Sequence, residues 1–172
     1  GPAVVGGTLL LATYLGLFSG TFFGLQNLLV ERWGRLALAA TPFLWTATEY
    51  LLSLGELGFP WLLLGHSQAS SPTVIQYATW TGVYGVSFWL VLINLLVARA
   101  LMANRRRPLR MLVVLSAILL PYVHGRTVMD AVRADATGDI RVTVVQPNLS
   151  RGEKWGSGGL QRSFETLEAL SR

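Results

Sequence analysis

The chain has 172 residues, of which 52% are hydrophobic and only 13% are charged, about half the charged fraction of an ordinary soluble domain. Its mean hydropathy of +0.47 argues against a water-soluble globular protein. The formal charge of +5 would suit a nucleic-acid partner, but the arginines stand in short clusters between apolar runs, which is typical of a membrane protein. We therefore expect no nucleic-acid partner. Residues 1–125 hold half of the basic residues and a third of the acidic ones, which indicates a membrane part followed by a water-exposed tail.

Four apolar stretches have the length and composition of membrane spans, which need roughly 20 apolar residues. They cover residues 3–30, 36–54, 74–101 and the shorter 109–123. The predicted fold class is therefore an all-α polytopic membrane helix bundle over residues 1–125. In the first stretch, small residues recur at every fourth position: Thr8, Ala12, Gly16, Gly20 and Gly24. This small-residue stripe predicts close helix packing, which we assign to the bundle of one chain rather than to a homodimer, so we expect a monomer.

The positions of the arginines predict the orientation of the spans. Arg32 and Arg35 lie between the first two spans, and five arginines lie within residues 99–110 around the connection of the last two. Residues 55–73, between the second and third spans, contain neither Lys nor Arg. Because cytoplasmic loops retain Lys and Arg, both arginine-rich connections should be cytoplasmic. Residues 55–73 and the tail from residue 126 onward should then lie on the outer side.

The connection at residues 55–73 is too apolar for a solvated loop and too broken by Gly and Pro for a span. Its run from Gly58 to Gly65 reads Gly-Phe-Pro-Trp-Leu-Leu-Leu-Gly. Irregular backbone at membrane depth survives only where protein or a wet cavity satisfies it, so this segment should lie at the outer interface or cap a cavity there. Five aromatic residues are expected to lie at headgroup level: Trp61, Tyr77, Trp80, Tyr84 and Trp89. For the four that follow Trp61 we favour an interfacial aromatic belt.

The tail changes in character from residue 126. Residues 126–139 are predicted to be a polar linker, and the β-branched, alternating run Ile140–Gln146 is predicted to be a strand that Pro147 ends. Apolar residues then recur at helical spacing: Leu160, Phe164, Leu167 and Leu170. A strand followed by a helix is the opening of an α/β domain, so residues 140–172 should begin a domain that this chain does not complete.

Few residues offer catalytic or metal-binding chemistry. The chain contains no cysteine, which excludes disulfides, thiolate metal sites and a cysteine nucleophile. The segment Gly65-His-Ser-Gln-Ala69 has the pattern of a nucleophile elbow, but no predicted strand precedes it, and we reject that interpretation. His66 and His124 lack further ligands at metal-binding spacing. We therefore expect no metal and no cofactor.

Two polar residues fall inside predicted spans. Glu49 is a functional candidate because an acid at membrane depth is costly. The alternative, which we favour, is that Glu49 lies near the outer surface and forms a hydrogen bond with Thr46, Gln76 or another polar group between helices. Asn94 is assigned to the same kind of interhelical hydrogen bond.

A set of short motifs resembles the apolipoprotein N-acyltransferase family. It comprises Phe43-Leu-Trp45 with Glu49, Gly58-Phe-Pro-Trp61, Leu64-Gly65, Ser67-Gln68, Gly82-Val-Tyr-Gly85, Ser87-Phe88, Asn94 and Val144-Val-Gln-Pro-Asn148 with Lys154-Trp155. The resemblance implies a multi-pass enzyme of the bacterial inner membrane with a nitrilase-like domain on the periplasmic side, which residues 140–172 would begin. Residues 126–172 would then be periplasmic. The implied reaction transfers an acyl chain from a phospholipid, through a thioester acyl-enzyme, to the N-terminal diacylglyceryl-cysteine of an apolipoprotein acceptor.

The resemblance also separates what this chain should contain from what it should lack. We assign none of the family's Glu-Lys-Cys triad to this chain, so the catalytic residues are expected to be absent and the chain alone inactive, as part of a longer enzyme. Trp61 and Trp155 match family tryptophans and are expected to bind substrate. The alternatives are an interface anchor for Trp61 and a packing residue for Trp155. A competing class is a non-enzymatic membrane transporter or scaffold with a partner-binding periplasmic tail, but neither a polar midplane site nor an inverted repeat is evident.

Overall fold

The computed structural model describes residues 1–102, 106–136, 138 and 142–171, and the chain divides into two units, Gly1–Asp135 and Ala136–Arg172. The first unit contains four α-helices: α1 (Pro2–Trp33), α2 (Thr41–Leu52), α3 (Ala78–Leu101) and α4 (Arg107–Asp135). Short 3-10 segments lie at Gly34–Ala40, Pro60–Leu62 and Leu64–Gln68. The second unit contains α5 (Arg151–Trp155) and α6 (Gly159–Ser171). The described part of the chain is thus helical, with no strand.

The chain reverses direction after α1, so that α2 packs back against it. Gly34 begins the reversal with a φ of 60°, a conformation that favours glycine. Gln26 Nε2 donates to the carbonyl of Ala37 at 3.3 Å, and the rings of Phe22 and Trp45 pack edge to face with centroids 4.9 Å apart. Ala37 thus contacts Gln26, whereas Trp45, later in the chain, contacts Phe22, which lies nearer the N-terminus of α1. This order shows that α1 and α2 are antiparallel.

Three stretches of the described chain, rather than four, could cross a membrane by length and composition: Pro2–Leu52, Ala78–Leu101 and Arg107–Asp135. The predicted span over residues 36–54 is not a single long α-helix. α2 has 12 residues, about 18 Å of α-helix, so a crossing of about 30 Å would also need the segment that precedes it. The preceding Gly34–Ala40 is a 3-10 segment, so the α-helix begins only at Thr41.

Two other predicted boundaries shift. Residues 72–77 form a turn, so α3 begins at Ala78 instead of at residue 74. α4 continues to Asp135, well past the predicted end of the fourth span at residue 123. The predicted polar linker is therefore helical over residues 126–135, because no glycine or proline interrupts the chain between Gly125 and Gly138. Thr137 and Asp139, also in the predicted linker, lie outside the described residues.

Pro121 lies inside α4 and creates a polar contact between α3 and α4. Proline has no N–H, so the carbonyl of Ala117, four residues earlier, loses its helical partner. The indole Nε1 of Trp89 in α3 donates to this carbonyl at 3.0 Å. Near this point, a Cβ at Gly125 would overlap the carbonyl of Thr73, so glycine permits α4 to approach the turn before α3.

The small-residue stripe of α1 does not pack against another helix of the bundle, as we had predicted that it would. Its five residues are exposed, and open space surrounds Gly16, Gly20 and Gly24. α1 instead contacts its neighbour through another face, where Phe22 is the buried residue. Within the part of the chain that the structure describes, the predicted packing of the stripe is therefore absent.

The predicted strand Ile140–Gln146 is wrong where the structure describes it. Val142–Gln146 is irregular, and Ile140 and Arg141 lie outside the described residues. A strand needs a neighbour to pair its backbone groups, and the described residues offer none. Val142 and Val144 accordingly remain exposed. The amphipathic helix predicted after this run is confirmed as α6.

Candidate functional site

The segment between α2 and α3, residues 53–77, is held in place by side chains of both helices; we call it the Trp61 loop. The N–H of Leu64 donates to Glu49 Oε1 in α2 at 2.6 Å. The N–H of the next residue, Gly65, donates to the buried Ser87 Oγ in α3 at 2.8 Å. We call these two hydrogen bonds the loop clamp, because they fix two successive backbone groups to two different helices.

Close packing around the loop clamp explains the residue types found there. A Cβ at Gly65 would overlap the carbonyl of Val83, so only glycine lets the loop lie this close to α3. Leu63 is 3% exposed and anchors the loop in the first unit. Earlier in the loop, the N–H of Phe59 donates to the carbonyl of Leu52 at 2.8 Å. These contacts agree with the expectation that protein groups satisfy this irregular backbone.

Trp61 lies on the 3-10 segment Pro60–Leu62 and is 75% exposed. Its neighbour Leu62 is also exposed, whereas Leu63 directly after it is buried. The turn therefore presents two apolar side chains away from the protein while the following residues are fixed by the loop clamp. The upstream side is joined to α1, because Tyr14 Oη donates to the carbonyl of Leu57 at 2.9 Å.

Glu49 is buried, with 5% exposure. Its Oε1 accepts two hydrogen bonds, one from Leu64 N–H and one from Trp45 Nε1 at 2.9 Å. Its Oε2 is buried and has no hydrogen-bond partner among the described residues. Glu49 thus uses one carboxylate oxygen to hold the Trp61 loop and leaves the other unpaired.

The two residues that the sequence named as partners of Glu49 form hydrogen bonds elsewhere. The side chains of Thr46 and Gln76 each donate to a backbone carbonyl four residues earlier, both at 2.8 Å. Asn94 likewise donates to the carbonyl of Leu90 in its own helix and is exposed. Among the described residues, Asn94 therefore lacks the interhelical hydrogen bond that was predicted for it.

An open cleft of about 230 Å³ lies beside Glu49. Residues of α1 and α2 form most of its walls, and Leu62 of the Trp61 loop completes them. The polar residues that line it are Ser19, Thr48 and Glu49. The cleft thus brings the buried acid, the exposed turn and the middle of α1 to one place.

The other aromatic residues of the predicted belt have mixed surroundings. Trp80 is 77% exposed and its ring centroid is 5.3 Å from that of His124. Tyr84 Oη is 2.6 Å from Ser53 Oγ, a contact that joins α3 to the start of the loop. Trp89 donates a hydrogen bond to the carbonyl of Ala117 in α4, as described above. Trp61 and Trp80 are therefore the two of these five aromatic residues whose side chains are mainly exposed.

The serine of the rejected nucleophile elbow is not activated by a histidine in the structure. Ser67 lies in the 3-10 segment Leu64–Gln68 with no strand before it in the described residues. Its Oγ accepts a hydrogen bond from Gln68 Nε2 at 3.2 Å. The ring of His124 contacts Trp80 instead.

Trp155, the second predicted substrate-binding residue, is the last residue of α5 in the second unit and is 79% exposed. Lys154 Nζ lies 5.6 Å from the centroid of its ring. A hollow of about 590 Å³ beside it is bordered by apolar residues of α6, including Leu160 and Phe164. The Trp155 side chain is thus mostly exposed and borders an apolar hollow.

A capping box fixes the start of α5. Glu153 N–H donates to Ser150 Oγ at 3.3 Å, and Ser150 N–H donates to Glu153 Oε2 at 2.8 Å. The Ser150 hydroxyl also donates to the same carboxylate oxygen at 2.6 Å. These hydrogen bonds from Ser150 lower the pKa of Glu153, because they stabilise its charged form.

Comparison with known proteins assigns the family. Residues 1–96, which include α1, α2 and the complete Trp61 loop, match the family model described as the apolipoprotein N-acyltransferase N-terminal domain. The chain belongs to the apolipoprotein N-acyltransferase family. No solved structure matches it.

Three curated relatives illustrate the similarity, and each carries the name apolipoprotein N-acyltransferase. The chain is 34% identical over 94% of its length to the protein of Chlorobaculum tepidum and 32% identical over 94% to that of Pasteurella multocida. It is 30% identical over 98% of its length to the protein of Geobacter metallireducens. It covers 33%, 31% and 33% of these relatives, so it spans about a third of the length of the acyltransferases that it matches.

Sequence reasoning missed the loop clamp. The spacing of four between Trp45 and Glu49 places both on one face of α2, which was a usable signal for their contact. Ser87 gave no such signal, because its partner is a backbone N–H 22 positions away and every residue except proline carries such a donor.

Proposed function

We propose that this chain forms membrane-embedded and adjoining segments of an apolipoprotein N-acyltransferase of the bacterial inner membrane, and that the Trp61 loop helps to admit lipid substrate. The full enzyme would move an acyl chain from a phospholipid to the N-terminal diacylglyceryl-cysteine of an apolipoprotein through a thioester. Membership of the family supports this reading over a transporter or a scaffold.

The main support for this role of the Trp61 loop is that it exposes an apolar turn next to backbone that the loop clamp holds in place. Trp61 and Leu62 are exposed, while the loop clamp holds the two residues that follow Leu63. An aromatic ring on a pre-ordered turn loses little conformational freedom when it contacts a ligand. Its apolar face suits acyl chains and its indole N–H suits the headgroup region.

The position of the loop along α1 supports a location at the outer face. Tyr14, which bonds the loop, stands nineteen residues before Trp33, which is about 28 Å along an α-helix. That length is close to the thickness of the hydrocarbon core. With Arg32 and Arg35 on the cytoplasmic side, the Trp61 loop would lie near the opposite, periplasmic boundary.

In this proposal, the second unit is the beginning of the nitrilase-like domain. Val142 and Val144 expose β-branched side chains on an unpaired segment, which would become a strand when a neighbouring strand of the full-length enzyme supplies backbone partners. Trp155 and the apolar hollow beside α6 would then contact the lipid of a substrate. The catalytic triad would come from other parts of the enzyme.

The role of Trp61 is tested by substitution in the full-length enzyme. Trp61→Ala should reduce acyl-enzyme formation and lipoprotein N-acylation at least tenfold at equal enzyme level, and Trp61→Phe should retain part of the activity because it keeps an apolar ring. Trp80→Ala is the matched control, since Trp80 is equally exposed but lies outside the turn. Full activity of Trp61→Ala, or an equal loss in Trp80→Ala, would contradict the proposal.

A further inference from the structure

We propose that an open hollow between α3 and α4 binds the phosphate group of an anionic phospholipid. Two residues of each helix line this hollow of about 220 Å³: Leu96 and Arg99 of α3, and Arg110 and Val113 of α4. We call it the arginine hollow. Ser87, which holds the Trp61 loop, stands twelve residues before Arg99 in α3, about 18 Å along the helix. The proposed site is therefore separate from the one that we propose for lipid at the Trp61 loop.

The charge of the arginine hollow is not balanced by neighbouring segments of the chain. The sequence has no Asp or Glu between Glu56 and Asp130, so neither α3 nor the part of α4 that lines the hollow supplies an acid. The ion pair of the described residues joins Arg133 to Asp130, so within those residues Arg99 and Arg110 have no acidic partner. Two like charges beside one hollow repel each other, and an anion that contacts both removes this repulsion. The complementary ligand group is therefore an anion.

Arg110 is held in position to bind such an anion. Its Nη1 donates to the carbonyl of Arg99 at 2.8 Å. Arg99 lies in the last turn of α3, where the helix carbonyls lack partners within the helix. A guanidinium group has five N–H donors, so four remain on Arg110 after this hydrogen bond. Because the planar guanidinium matches the geometry of phosphate oxygens, the anion that suits this pair of arginines is a phosphate.

The order of residues along the two helices indicates that the phosphate belongs to a lipid. Leu96 precedes Arg99 by three residues in α3, and Val113 follows Arg110 by three residues in α4. In each helix the apolar residue thus lies about 4.5 Å farther from the α3–α4 connection than the arginine does. A phospholipid has the same order, because its acyl chains lie deeper in the membrane than its phosphate. A free phosphate would contact the arginines and leave Leu96 and Val113 without a partner.

The predicted orientation of the chain agrees with this ligand. The arginines around the α3–α4 connection predict that this end of the two helices is cytoplasmic. Basic pockets between membrane helices on the cytoplasmic side are typical sites for anionic lipid headgroups. The proposed lipid would therefore belong to the cytoplasmic leaflet, on the side of the membrane opposite to the predicted position of the Trp61 loop.

The test measures lipid binding to the 172-residue chain in detergent micelles by native mass spectrometry. Phosphatidylglycerol and phosphatidylcholine with the same acyl chains both carry the phosphate, but the choline cation cancels its charge in the second lipid. We expect phosphatidylglycerol to bind about tenfold more tightly, the ratio that one charge-assisted hydrogen bond produces. Equal binding of the two lipids would overturn the proposal, and so would displacement of phosphatidylglycerol by inorganic phosphate at the same concentration.

Two double variants that lose the same charge locate the site. In the chain that carries both Arg99→Gln and Arg110→Gln, the preference for phosphatidylglycerol should disappear. The matched control carries Arg32→Gln and Arg35→Gln, which remove two exposed arginines of the other predicted cytoplasmic connection, and it should retain the preference. A preference that survives in the first variant, or an equal loss in the control, would refute the site.

A single substitution keeps the test decisive if the first double variant does not fold. Arg99→Gln alone leaves the backbone carbonyl of residue 99 in place as the acceptor for Arg110, so the contact between α3 and α4 is retained. It should lower the affinity for phosphatidylglycerol at least about threefold, because one of the two charges at the phosphate is lost. An unchanged affinity in this variant would refute the site.

Discussion

The hydrogen bond from Trp89 to the carbonyl of Ala117 gives a quantitative test of how α3 holds α4. Pro121 deprives this carbonyl of its helical donor, and Trp89 Nε1 replaces that donor at 3.0 Å. Trp89→Phe keeps an aromatic ring but removes the N–H. A buried carbonyl left unsatisfied costs about 1–3 kcal/mol, and hydrogen bonds between membrane helices contribute about 0.6 kcal/mol on average and about 1.7 at most. We therefore expect the lost hydrogen bond to destabilise the chain by about 1 kcal/mol, in addition to the loss of packing.

A second substitution separates the hydrogen bond from the packing. Pro121→Ala restores an N–H that bonds the carbonyl of Ala117 within α4, so Trp89→Phe should cost only its packing in that background. The difference between the two costs is the coupling free energy, which we expect to be about 1 kcal/mol. The measurement is reversible unfolding of the four variants in mixed micelles, followed by far-ultraviolet circular dichroism. An equal cost of Trp89→Phe in both backgrounds would refute the role of the indole N–H.

Three further predictions follow from the charges and the composition of the chain. Hydrogen bonds from Ser150 lower the pKa of Glu153, so the ionised Glu153 stabilises α5 above its unfolded-state pKa, and this stabilisation is lost as the pH falls through its folded-state pKa. Ser150→Ala should therefore raise the pKa of Glu153 in an NMR titration. An unchanged pKa would contradict this cause. A reporter fused after Met102 should be cytoplasmic and one fused after Ala136 periplasmic, so finding both on one side would contradict the arginine argument. The chain contains no cysteine, so radiolabelled phospholipid should leave no thioester on it.

The long helices were predictable because the signal for each is local. An uninterrupted apolar run of sufficient length predicts a membrane helix whatever surrounds it, and α1, α3 and the first half of α4 follow from such runs. The α-helix of the second predicted span is shorter, because hydropathy does not distinguish an α-helix from the 3-10 segment Gly34–Ala40. The irregular Trp61 loop was also predictable, since Gly58, Pro60 and Gly65 exclude a continuous helix.

The remaining features depend on contacts that no local pattern specifies. Val142–Gln146 has the residue types of a strand, but strand formation requires a partner for its backbone. The donor of Trp89 and the carbonyl freed by Pro121 lie on different helices, so their meeting depends on how α3 and α4 align. Trp61 was predicted from a motif and the structure shows it exposed; its binding of substrate stays a prediction.

The two oxygens of Glu49 have different surroundings, which makes their contributions separable. Glu49→Leu removes both oxygens and leaves Trp45 Nε1 and Leu64 N–H without an acceptor, whereas Glu49→Gln removes only the unpaired one. We therefore expect Glu49→Leu to accelerate hydrogen exchange at Leu64 at least about fivefold, because a buried donor left without an acceptor costs about 1–3 kcal/mol, and Glu49→Gln, which keeps an acceptor oxygen, to accelerate that exchange much less. Exchange measured by mass spectrometry over residues 59–68 tests this, with α4 as the internal control. Slow exchange at Leu64 in Glu49→Leu would mean that Ser87 and the buried Leu63 hold the loop without the carboxylate.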